Sequence, residues 1–162
     1  MMNSPRAQRY AYEALLQEHD PDMMLTFTFQ RRVSFEHMQK AVHLFMNKTQ
    51  AAVLGRRWSR HPIETRPTMI GMAEHQDRTR YQNPHIHAAL FAPEAFVKYL
   101  RTSKSQELWR HSGQHCGVLD AGRTRNTVQM VRYMFKEAYR PDWQDGMVIY
   151  TPSCPNGELG KC

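Results

Sequence analysis

Two short apolar runs, TMIGMAEH at 68–75 and PHIHAALF at 84–91, flank the polar segment QDRTRYQN at 76–83. Each run has the length of a strand and is bounded by turn-forming residues. The segment between them suits a hairpin loop, so the two runs are predicted to pair antiparallel. That pairing argues against a doubly wound parallel sheet. It argues for an α+β fold, a central and largely antiparallel sheet covered by helices.

The remaining elements alternate in type. Residues 5–19 read as a helix with Pro5 near its start, stopped by Asp20-Pro21-Asp22. MMLTFTF at 23–29 has period two, with Leu25, Phe27 and Phe29 on one face and Met24, Thr26 and Thr28 on the other. Ser34 caps a long helix to about Leu54, with Phe35, Met38, Val42, Phe45 and Met46 at helical spacing and Gly55 at its end. Pro93 opens a further helix whose apolar side holds Ala95, Phe96, Tyr99 and Leu100. CGVLDA at 116–121 is a strand candidate, Thr124 a cap for a last helix to about Ala138, and MVIY at 147–150 a final strand. The order is α-β-α-β-β-α-β-α-β, read as one domain over residues 1–150 with a tail at 151–162.

A chain of 162 residues with 41% hydrophobic and 23% charged residues can bury a real core. No stretch approaches the roughly 20 apolar residues that span a bilayer. The first residues hold no apolar signal core, so no membrane association is expected and cytoplasmic residence is. The formal net charge of +7 favours a polyanionic partner, because neutralised phosphates release counterions. Arg31, Arg32, Arg56, Arg57, Arg60, Arg78 and Arg80 cluster near Trp58 and Tyr81, and cations beside aromatic rings suit an unpaired nucleic-acid strand. Cys116, Cys154 and Cys162 form no disulfide framework, and their spacing with His111 and His115 matches no standard zinc pattern.

Two constellations carry chemistry. In a strand, residues i and i+2 share a side, so His85 and His87 project together toward one cation. Imidazole suits borderline metals such as Mn²⁺, Zn²⁺ or Co²⁺. Alone, an HxH pair is as readily a hydrogen-bonded or surface pair. Glu74 strengthens the metal reading: the hairpin returns it to the histidines if Ile70, Met72 and Glu74 share a face. Two histidines and one carboxylate leave positions open for water or substrate, as at a catalytic site. In QMVRYMFKEAY at 129–139, Met130, Val131, Met134, Phe135 and Ala138 fall on one helical face, and Gln129, Tyr133 and Lys136 on another. An ammonium beside a phenol lowers the phenol's pKa and can steady developing charge.

These motifs in order resemble a known group. HIH before an apolar run looks like the paired-histidine motif of HUH endonucleases. LTFTF at 25–29 resembles that superfamily's first strand motif, and YMFK at 133–136 the third motif of single-tyrosine rolling-circle replication initiators. The resemblance implies a sheet-centred, ferredoxin-like fold related to RNA-recognition domains. It implies that Glu74, His85 and His87 hold Mn²⁺ or Mg²⁺ and that Tyr133 attacks a DNA phosphate, leaving a 5′-phosphotyrosine and a free 3′-hydroxyl. Lys136 then steadies the phosphate or the phenolate, and Gln129, Arg31, Arg32, Arg78, Arg80 and Tyr81 contact DNA. The expected partner is single-stranded or hairpin DNA at an origin.

The chain contains no GxxxxGK[ST] loop, so it either acts without its own motor, with a host helicase as partner, or is one domain of a longer protein. Tyr139 does not stand at Tyr-x-x-x-Tyr spacing, which favours a single nucleophile. Other readings are an HUH transposase or relaxase, a metal-dependent hydrolase using water, and a single-strand-binding domain without catalysis.

Overall fold

In the computed structural model, residues 4–74, 84–122, 126–136 and 143–151 are described. The fold is α+β. Its strands are β1 (Met23–Phe29), β2 (Thr68–Glu74), β3 (His85–Phe91), β4 (Cys116–Gly122) and β5 (Met147–Tyr150). They form one sheet in the order β4-β1-β3-β2-β5, and every pairing is antiparallel. The helices are α1 (Pro5–His19), α2 (Phe35–Leu54), α3 (Glu94–Leu100), α4 (Ser103–Arg110) and α5 (Thr127–Met134). The hairpin that the sequence predicts is present, with Glu74 opposite His85 and Thr68 opposite Phe91.

Strand alternation divides the molecule into two apolar layers. Leu25, Phe27, Phe29, Ile86, Leu90, Met69 and Val148 point to one side, where Val42, Phe45 and Met46 of α2, Val97 and Leu100 of α3 and Trp109 of α4 complete the larger core. Ser34 starts α2, its hydroxyl accepting the His37 N–H at 3.2 Å. Gly55 ends it at φ +86, a backbone region that side-chain-bearing residues rarely adopt. The second side is narrower: Met72 and Ala89 meet Leu16 of α1 and Met130, Val131 and Met134 of α5, together with Phe135.

Three details depart from the sequence expectation. The helix α4 has almost no apolar periodicity, yet its Trp109 is fully buried against the rings of Phe27, Phe29 and Phe45, at 4.9, 5.4 and 5.8 Å between centroids. One anchor of this kind, worth about 3–5 kcal/mol when truncated, holds a short polar helix in place. In α3 the buried stripe is Phe96, Val97 and Leu100, while Ala95 is exposed. The last helix is shorter than expected. Asn126 caps it, its side chain accepting the Gln129 N–H at 3.0 Å, and it stops at Met134 instead of near Ala138. Phe135 leaves helical geometry to stay buried, stacked on Tyr12 at 6.2 Å. Thr124 and Ala138 lie outside the described residues, as does the segment 152–162.

Candidate metal and nucleophile site

The site forms where the narrow layer ends. In β3, His85 and His87 share the face turned toward α5, and β2 brings Glu74 directly opposite His85. The Nε2 of His85 lies 2.6 Å from Glu74 Oε2, and the Nε2 of His87 lies 3.3 Å from Oε1. The donor atoms of Glu74, His85 and His87 all lie within 4.8 Å of one another, close enough to hold a metal ion. His87 is buried, and its Nε2 makes no hydrogen bond of good geometry, as befits a nitrogen whose lone pair is kept for a ligand. Two imidazoles and a carboxylate suit a divalent cation and leave coordination positions open.

Charge reinforces this arrangement. Burial works against ionisation of Glu74, but hydrogen bonds from His85, His87 and Lys136 outweigh it and hold the carboxyl far below its ordinary range. The ammonium of Lys136 pairs with Glu74 Oε1. Burial also opposes the Lys136 charge, and its hydrogen bonds to Glu74 and Tyr133 prevail, raising its pKa. That ammonium stands 4.1 Å from the centroid of the Tyr133 ring. The Tyr133 ring in turn meets the His87 ring at 4.8 Å. Tyr133 is 46% exposed, so one side of it remains open to a large substrate.

The position of α5 follows from local contacts. Met130, Val131 and Met134 are buried in the narrow layer, which turns Tyr133 toward the sheet end that carries the histidines. Thr127 ties the start of the helix to the chain after α1 by donating its hydroxyl to Asp20 Oδ1 at 2.5 Å. Lys136 is not on the helix: it lies in the following turn, where its N–H donates to the Tyr133 carbonyl at 3.2 Å. The stripe expected for Gln129, Tyr133 and Lys136 therefore holds within the helix for the first two only, yet the turn still delivers Lys136 to Glu74.

The structure thus brings together Glu74, His85, His87, Tyr133 and Lys136. Gln129 is exposed, one turn before Tyr133, and its backbone N–H is engaged by Asn126. Arg31 and Arg32 are exposed in the loop after β1, at the sheet end where Thr28 pairs with His85. Arg78, Arg80 and Tyr81 lie outside the described residues, as do His75, Cys154 and Cys162. Cys116 is a buried free thiol whose pKa burial pushes up to about 11. One participant went unassigned from the sequence: Thr26, whose hydroxyl lies 3.0 Å from Nδ1 of His87.

An antiparallel α+β sheet with a His-His-Glu cluster on one face defines a class of protein with a candidate metal-binding site at the end of the sheet. A family model for replication-associated proteins of the ORF2 type matches residues 22–138. That span includes β1 to β4, α5 and every member of the cluster, and the chain belongs to this family. No curated protein and no solved structure matches the chain. Among the described residues, no helix is long and apolar enough to cross a membrane.

Proposed function

We propose that this chain is an HUH-type, single-tyrosine nuclease that nicks and rejoins single-stranded DNA to initiate rolling-circle replication of a plasmid or phage. Tyr133 is the nucleophile, Lys136 its charge partner, and Glu74, His85 and His87 the ligands of Mn²⁺ or Mg²⁺. The observation that carries this reading is the packing of the Tyr133 ring on His87, with Lys136 touching both Glu74 and the phenol.

A divalent ion held by the three ligands would supply positive charge to a non-bridging oxygen of the scissile phosphate. The chain's own groups do the rest. Tyr133 Oη attacks phosphorus in line, the Oη–P bond forms and the P–O3′ bond breaks. The phenol loses one proton and the departing 3′-oxygen gains one, so the proton balance closes. Lys136 stabilises the phenolate before attack and the phosphate charge during it. Because the phosphodiester energy is retained in the tyrosyl ester, a 3′-hydroxyl can later reverse the step and reseal a strand. A flexible single strand or extruded hairpin presents its phosphate to the partly enclosed site more readily than a regular duplex does. Arg31 and Arg32, and Arg78, Arg80 and Tyr81 in the hairpin loop, are proposed backbone and base contacts, with Gln129 beside them. Helicase activity would come from a host partner.

The test is to incubate the protein and Mn²⁺ with labelled origin-like oligonucleotides and resolve the products on a denaturing gel. A protein-linked band that disappears with Tyr133→Phe supports the proposal. Cleavage without a linked band would assign the site to water-mediated hydrolysis, and binding without cleavage would assign it to strand capture.

A further inference from the structure

We infer that Thr26 is a positioning residue that lets His87 change tautomer when the site takes up its metal. This rests on the metal reading of Glu74, His85 and His87. In β1, Leu25 and Phe27 are fully buried in the larger core, so Thr26 between them points to the opposite face, where it is paired in register with His87. Its Oγ1 lies 3.0 Å from Nδ1 of His87, while Nε2 of the same ring faces Glu74 at 3.3 Å. The two ring nitrogens therefore have separate partners.

Ligation through Nε2 requires its lone pair, which places the ring proton on Nδ1, where the Thr26 oxygen accepts it. Without metal, a proton on Nε2 faces the Glu74 carboxylate, and Nδ1 then accepts from the Thr26 O–H. A hydroxyl serves both arrangements because it donates and accepts, whereas a carbonyl or carboxylate would accept only and fix one of them. His87 is 6% exposed, so water is a poor substitute for the lost partner. The β-branched Thr26 side chain also restricts χ1 and holds its oxygen in place. Thr28, the next residue on this face, is committed elsewhere: its hydroxyl donates to the Val118 carbonyl at 3.0 Å and accepts the Val118 N–H at 2.7 Å.

The experiment compares wild type, Thr26→Val and Thr26→Ser by Mn²⁺ titration calorimetry and by ¹⁵N NMR of the imidazoles with and without Mg²⁺. Thr26→Val is expected to weaken Mn²⁺ binding about tenfold or more, the usual effect of losing a partner of a ligating histidine, and Thr26→Ser to restore it. In wild type, the His87 proton is expected on Nε2 without metal and on Nδ1 with it. Wild-type affinity in Thr26→Val, or an equal loss in both variants, would overturn the inference and assign Thr26 to packing alone. A wild-type protein that takes up no Mn²⁺ would instead overturn the metal reading, and the role of Thr26 with it.

Discussion

The Tyr133 ring meets the His87 ring edge to face, 4.8 Å between centroids and 68° between planes, joining the last helix to the middle strand of the sheet. The contact uses the ring and not the hydroxyl. Tyr133→Phe should therefore leave the fold within about 0.5 kcal/mol of wild type while abolishing any covalent adduct with DNA. Urea denaturation of both proteins, run beside the cleavage assay, checks the two halves. A strongly destabilised variant would mean that the hydroxyl has a structural task.

Lys136 and a divalent ion would both be drawn to Glu74, and like charges compete for one carboxylate. Replacing Lys136 by Met keeps the apolar stem and removes the cation. Mn²⁺ affinity should stay equal or become tighter, while the cleavage rate falls on the order of 10²-fold for want of charge stabilisation. Calorimetry and initial rates separate these effects. Weaker Mn²⁺ binding would show that Lys136 serves mainly to hold Glu74 in position.

His87 is the buried member of the triad, and its loss removes a ligand that solvent replaces poorly. His87→Ala should lose Mn²⁺-stimulated nicking and most Mn²⁺ affinity. Normal nicking by this variant would contradict the metal assignment.

Burial raises the Cys116 pKa to about 11, which disfavours the thiolate in the fold. At pH 8 roughly one thiol in a thousand is ionised, so alkylation should be slow and should accelerate as pH rises toward 11. A chain with Cys154 and Cys162 replaced by Ser isolates the measurement. Rapid labelling of the native protein at pH 8, equal to that in denaturant, would contradict the burial of Cys116.

The triad was legible because it needs only local geometry. Period-two alternation puts His85 and His87 together, and a tight hairpin returns Glu74. Tyr133 was legible as a residue off the apolar stripe of an amphipathic helix, though not the helix end: Phe135 breaks the periodic pattern for a tertiary contact with Tyr12. The role of Thr26 was hidden because β1 and β3 pair across 61 residues, and nothing local announces the strand order. The α4 helix was hidden for a related reason, since a lone Trp109 carries its burial and a single apolar residue has no period.

The central claim is that the phenol of Tyr133 becomes bonded to DNA. Arg132 and Lys136 bracket the tetrapeptide Tyr-Met-Phe-Lys, so trypsin should release it from an adduct formed with Mn²⁺ and a single-stranded origin oligonucleotide. After nuclease trimming, tandem mass spectrometry is expected to find this peptide carrying a 5′-linked nucleotide on Tyr133. An adduct on any other residue, or origin cleavage with this peptide unmodified at all times, would contradict the account.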